Sequence, residues 1–184
     1  MQKRKKVIAV SGMPGAGKGV ATEAARQIGF EVIVLGDVIR EETERRGLEP
    51  TPKNMGGVML RVREVEGAAV VARRLMPKIE ACSGPIVIVE GIRSPAELAE
   101  LKSRHDVVAV AIHASPRTRF ERLVARNRSD DPKTWSTFSE RDFRELYVGL
   151  GDVIALADHV LVNEGTISEL QSSFKSLLNE LKAS

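Results

Sequence analysis

Cysteine is nearly absent: Cys82 is the only one in 184 residues. No intrachain disulfide can form, and with no His or Cys at metal-ligand spacing around it the thiol reads as a small apolar residue. A reducing, cytoplasmic setting fits. Long apolar runs are missing too, and no stretch approaches the ~20 residues a membrane-spanning helix needs. The basic start followed by Val7–Val10 imitates the opening of a signal peptide, but the apolar run stops at Ser11-Gly12, so the chain is read as a complete cytosolic protein. Charge of one sign is scarcely in excess. Lys and Arg outnumber Asp and Glu by 28 to 25, a formal +3, which permits nucleic-acid binding without indicating it. The basic run Lys3-Arg4-Lys5-Lys6 is the one place where a nucleic acid could dock, and a solvated tail is the plainer account of it. There is no internal repeat, low-complexity tract or dividing linker, and 42% hydrophobic content over this length makes one globular domain spanning 1–184.

What is present is an alternation of short β-branched runs with helical patterns: Val7–Val10, Glu31–Leu35, Ile86–Glu90, Val107–Ile112 and His159–Val162. Continuous apolar runs of this length suit strands buried on both faces, and hence a parallel sheet covered by helices. The expected class is α/β, a three-layer sandwich with a five-stranded parallel sheet and helices on both faces. Val20, Ala24 and Ile28 predict an apolar stripe on the first helix. Ser94-Pro95 and Ser115-Pro116 read as helix starts, Thr166 to Glu169 as a capping box before an amphipathic last helix, and Pro77 as a bend or break in the helical region between Pro50 and Pro85.

The chemistry centres on Ser11–Val20, SGMPGAGKGV. Gly12-x-x-Gly15-x-Gly17-Lys18 lies directly after one predicted strand and before one predicted helix, the context in which glycines let backbone N–H groups wrap a polyphosphate. The helix N-terminus adds its positive end and Lys18 a full charge. Gly12, Met13, Pro14, Gly15, Ala16, Gly17, Lys18, Gly19 and Val20 are thus the nucleotide-binding set. Such a loop usually carries Ser or Thr after its lysine to ligate magnesium. Here Gly19 stands in that place.

A glycine after the lysine is what adenylate kinases and related nucleoside monophosphate kinases carry, and GMPGAGKG resembles their loop. The resemblance implies a P-loop nucleoside-kinase fold, ATP as donor and Mg²⁺ held mainly by phosphate oxygens, water and a carboxylate elsewhere. Leu35–Glu42, LGDVIREE, resembles their Gly-Asp-x-x-Arg acceptor segment, which implies Gly36, Asp37 and Arg40 as acceptor-binding residues within a helical region 36–81. Taken alone, Asp37 could equally cap a helix and Arg40 pair with Glu44. Val89–Ser94, VEGIRS, resembles their Asp-Gly-Phe-Pro-Arg, implying Arg93 at the phosphates, Glu90 ordering magnesium water and Glu97 beside the acceptor, where a glutamine usually reads the base. Arg122, Arg126 and Arg128, with Arg141 beyond, are similar to the lid arginines that close over the transferring group, and imply a short lid at 126–133.

The segments GDVIREE, DDPKTW and ADHVLVNEG are also similar to an archaeal group of adenylate-kinase-related P-loop proteins, and ADHVLVNEGTISEL to the close of dephospho-CoA kinases. The activity implied is ATP-dependent phosphoryl transfer to a nucleoside monophosphate or similar small phosphorylated acceptor, with Lys18, Arg93 and the lid arginines as catalytic groups. Alternatives are a nucleotide-dependent switch or assembly factor and a dephospho-CoA kinase. Small-molecule nucleotides are the expected partners. Trp135 either covers a bound base or packs beside the lid.

Overall fold

The computed structural model describes residues 4–128 and 131–183; Lys3, Ser129 and Asp130, which figure in the expectations above, lie outside them. The elements run β1 (Lys6–Ser11), α1 (Lys18–Gln27), β2 (Glu31–Val34), α2 (Leu35–Arg45), α3 (Pro52–Glu66), α4 (Val70–Ala81), β3 (Ile86–Glu90), α5 (Pro95–Arg104), β4 (Asp106–His113), α6 (Pro116–Arg126), α7 (Trp135–Val148), α8 (Leu150–Ala155), β5 (His159–Val162) and α9 (Ile167–Ala183). The strands form one sheet in the order β2-β3-β1-β4-β5, and every pairing is parallel. Val10 of β1 is level with Glu90 of β3 and Val110 of β4, so β1 and β3 end within one residue of each other while β4 runs on to His113. The chain leaves β1 with one partner on either side, and a crevice opens beyond their carboxyl ends, the usual place for a ligand in such sheets.

Side-chain alternation builds two cores. Val7, Ala9, Val87 and Val89 face α2 to α5, where Val38, Val62, Leu75, Ile79 and Leu101 are buried. Ile8, Val10, Ile88, Val110 and Ile112 face α1 and α9, against Ala21, Ala25, Phe174 and Leu178. The edges differ from the two-sided burial expected of every strand. β2 is half-buried along its length, and Val160 and Val162 of β5 are exposed.

Helix starts fall where the sequence puts them: Ser94 and Ser115 each accept a bond from the third residue on, and Thr166 and Glu169 exchange both bonds of a capping box. Three details depart from expectation. Leu35 opens α2 instead of closing β2, and the buried stripe of α1 is Ala21, Thr22, Ala24 and Ala25, with Ile28 mostly outside. The break in the 50–85 region comes at Gly67, whose φ of 92° disfavours any side chain, and not at Pro77. Pro77 lies inside α4, which continues to Ala81; the buried residues Leu75, Met76 and Ile79 around it hold the helix against the loss of one backbone donor.

Candidate functional site

The glycine loop crosses the carboxyl end of β1 and turns into α1 at Gly17, whose φ is 106°. A β-carbon there would overlap Nδ2 of Asn163 and approach Leu170 to 2.9 Å. At Gly15 (φ 82°) it would come within 2.8 Å of the Arg119 carbonyl. The loop is therefore packed from outside as well as shaped by its own glycines. Asn163, just after β5, donates from Nδ2 to Ala16 O at 2.8 Å. Arg119 on α6 is buried and donates to Ala114 O and Pro14 O, each at 3.1 Å, while its fork grips both oxygens of Asp142 on α7 at 2.9 and 2.5 Å. Arg119 lines neither cavity and Asn163 lines the first; both fix the backbone of the loop.

Lys18 bends back over the loop, its Nζ donating to Gly12 O at 2.7 Å and Met13 O at 3.3 Å. Burial is the main cause that brings its pKa down to about 8; Glu90 opposes this, Arg93 reinforces it, and Glu145 and Arg141 follow with smaller opposing and reinforcing effects. A half-buried ammonium under the influence of two guanidinium groups is favoured by anionic oxygens. Glu90, at the end of β3, accepts from the Thr22 hydroxyl at 2.6 Å. Thr22, one turn beyond Lys18, also donates toward the Lys18 carbonyl at 3.1 Å, so the hydroxyl missing after the lysine reappears a turn later as a holder of the carboxylate. One carboxylate fixed at the wall of the crevice suits a magnesium ion that takes its other ligands from phosphate and water. Among the described residues no cluster of three His, Cys, Asp or Glu side chains could bind a metal by itself.

Two cavities meet at this point. The first, about 1020 Å³, is lined by the loop from Gly12 to Val20 (Met13 and Ala16 excepted), by Glu90, Arg93, Arg122, Arg126, Arg128 and Arg141, and by the segment from Asn163 to Gln171. The second, about 740 Å³, lies between α2, α3 and α7 and is mainly apolar, with Leu35, Ile39, Met55, Met59, Leu60, Phe143 and Tyr147 on its walls. Gly91, Arg93, Arg141 and Glu145 belong to both. Arg93 Nη1 donates to the two oxygens of Glu145 at 3.0 and 3.1 Å and lies 3.5 Å from Met59 Sδ, which places this ion pair in the passage between them.

The residues singled out in the sequence divide accordingly. Lys18, Glu90, Arg93, Arg122, Arg126, Arg128 and Arg141 come together around the first cavity. Arg122 is held by Asn163 O (2.9 Å) and Gly165 O (3.2 Å), and Arg126 by Asp131 (2.5 and 2.9 Å), which also accepts from the Arg128 backbone. Gly36 and Arg93 line the second cavity. Asp37 and Arg40 are exposed on α2 and line neither. Glu97 is fully buried outside both, its carboxylate taken by the Arg63 guanidinium and, at 2.8 Å, by the Arg93 N–H. It thus holds the turn that carries Arg93. Trp135 lines neither cavity and packs with Phe120 and Phe138 at centroid distances of 5.3 and 5.1 Å. Sequence reasoning missed Glu145, Thr22, Asn163 and the Arg119–Asp142 pair; the asparagine alone had a signal, its place directly after the last strand.

Comparison with known proteins gives the family and the fold. A family profile described as an AAA domain matches residues 11–139. A UPF0200 protein of Hyperthermus butylicus is 49% identical over 175 residues, covering 95% of this chain and 94% of that one, and a UPF0200 protein of Pyrococcus horikoshii is 44% identical over 180 residues, covering 95% and 97%. Among solved structures, TT1252 from Thermus thermophilus superposes with a TM-score of 0.70 at 20% identity over 97% of this chain and 99% of its own. A shikimate kinase from Acinetobacter baumannii, solved with shikimate, superposes with a TM-score of 0.59 at 19% identity over 100% and 97%. At such identities the likeness is one of fold, and it is the five-stranded parallel P-loop kinase fold described above. Identity of more than two residues in five across nearly the whole of both chains places this protein in the UPF0200 family.

Proposed function

We propose that the protein binds ATP on the glycine loop and passes its terminal phosphoryl group to a small phosphorylated acceptor, a nucleoside monophosphate or a molecule of like size, seated in the second cavity. The P-loop kinase fold and its kinase neighbours support nucleotide-dependent phosphoryl transfer in general. The observation that carries the finer reading is the common wall: a donor on the loop and an acceptor between α2, α3 and α7 meet at Arg93 and Arg141, and nowhere else among the described residues do the two cavities share side chains other than these and Glu145.

In-line transfer needs the two oxygens opposed, the migrating charge neutralised and water excluded. Lys18 and Arg93 supply charge at the loop side and at the passage, and Arg128 and Arg141 complete the ring. A magnesium ion, when bound with ATP, neutralises phosphate charge, and Glu90 is the group that orders its water. The apolar walls of the second cavity suit the face of a base or other ring. The test is incubation with ATP and magnesium against a panel of nucleoside monophosphates and dephospho-CoA, with the fate of the phosphate followed. Transfer to a panel member is the expected result. Acceptor-independent release as the only reaction overturns the kinase reading in favour of a nucleotide-driven switch.

A further inference from the structure

The passage between the cavities is not furnished as a phosphate seat. Of the two guanidinium groups that line both cavities, Arg93 is already matched by Glu145, whose two oxygens lie 3.0 and 3.1 Å from the same nitrogen, and Arg141 lies 4.0 Å from Asp131. Glu90 also lines the first cavity, and Glu145 is near enough to Lys18 to bear on its ionisation. A doubly charged phosphate placed there as nucleophile would meet the Glu145 carboxylate, with both guanidinium groups already engaged by carboxylates. Cations without an ion-pair partner among the described residues lie elsewhere in the second cavity: Lys53 at the start of α3 and Arg144 on α7, both exposed, neither part of the first cavity. Charge is thus divided. The acceptor cavity away from the first offers an anion two cations, and the passage offers a hydroxyl a carboxylate.

Resting on the transfer reading, we infer that Glu145 is the proton acceptor for a hydroxyl nucleophile, so that the acceptor is phosphorylated on an alcohol oxygen while its own phosphate serves as a handle on Lys53 and Arg144. Glu145 is 8% exposed, and that exposure opens onto both cavities. A carboxylate has about four acceptor positions, and one Arg93 nitrogen leaves the others for a hydroxyl in the passage. In the step, the acceptor oxygen forms a bond to the γ-phosphorus as its proton moves to Glu145, the bond from that phosphorus to the β,γ-bridging oxygen breaks, and the electron pair leaves on ADP. A phosphate nucleophile, ionised at neutral pH, has no such proton to give.

Water is the smallest hydroxyl nucleophile, so Glu145→Gln can be tested before the acceptor is known. In the full chain with ATP and Mg²⁺, E145Q should lower acceptor-independent phosphate release by about 10²-fold while the affinity for ATP, measured by calorimetry, stays within about twofold. E145D, which keeps the carboxylate, should recover about tenfold of that loss, separating proton transfer from packing. With AMP, GMP, CMP, UMP and dephospho-CoA as probes, ³¹P NMR should show a new phosphomonoester. Release that is unchanged or faster in E145Q, as for a mere charge plug, overturns the assignment. So does a phosphoanhydride product, which leaves the transfer reading intact. A wild type with no turnover toward water or any probe sinks both together.

Discussion

Placing one methyl group on Gly17 tests how the phosphate loop is held. Its backbone, at φ 106° and ψ 10°, lies where an L-residue pays about 1–2 kcal/mol. The added carbon would also overlap Asn163, which must then leave its bond to Ala16 O, worth about 0.5–1.5 kcal/mol in a side chain only 6% exposed. The sum is roughly 1.5–3.5 kcal/mol, or about 3–14 °C in melting temperature for a chain of this length. Gly19 is the control. It sits in the first turn of α1 with nothing within 4 Å of its virtual β-carbon, so alanine there gains up to ~1 kcal/mol in helix propensity. Calorimetric melting of G17A, N163A, G19A and G17A/N163A, without nucleotide, separates the parts. Because Asn163 is itself the obstruction, the double variant should be less destabilised than the sum of the singles. A G17A protein melting within about 1 °C of wild type refutes the claim that β5 and α9 brace the loop.

Nucleotide affinity should fall by about tenfold per pH unit above pH 8, because burial brings the Lys18 ammonium to about 8 and only the charged form attracts phosphate; a K18M variant should show a flat profile by fluorescence titration. The same group makes the empty protein gain stability between about pH 8 and 10.5, where the unfolded chain still holds the proton that the folded one has lost. Acid acts on His105, a buried ring whose two nitrogens have no hydrogen-bond partner; burial lowers its pKa from 6.5, Glu80 opposes this, and Arg104, Lys5 and Arg4 reinforce it. The unfolded chain then takes up the proton first as pH falls, so stability should drop below about pH 6.5 in urea denaturation at pH 7.5 and 5.5, and H105F should remove that part of the drop. Arg119→Ala should destabilise by about 3–5 kcal/mol, since Asp142 is left as an uncompensated, largely buried charge; a urea midpoint unchanged from wild type contradicts this.

The fold was legible because its signals are local. Glycines at fixed spacing between a β-branched run and a helix fixed the loop, and the same runs gave all five strands. Arg93 was legible because it leaves a strand end within a compact motif. Glu145 was not. In SERDFRELYV it is one of several charges on an amphipathic helix, and nothing along the chain tells which of them turns inward; only the packing of α7 against α6 and the loop decides it. Glu97 misled for the converse reason: a carboxylate one turn after Arg93 looks available until Arg63, thirty-four residues earlier, is brought against it by the fold. Pro77 misled because the burial of one face of α4, Leu75, Met76 and Ile79 included, outweighs one lost backbone bond.

The Arg119–Asp142 pair also sets a ruler on α7. The guanidinium that steadies Pro14 of the loop holds Asp142, so this helix takes its bearing from the phosphate site rather than from the sheet beneath it. Glu145 follows three positions later on nearly the same side of the helix. One extra residue between them would swing Glu145 by ~100° and advance it by ~1.5 Å, out of the gap, with the anchor undisturbed. The step from Asp142 to Glu145 therefore has a fixed count.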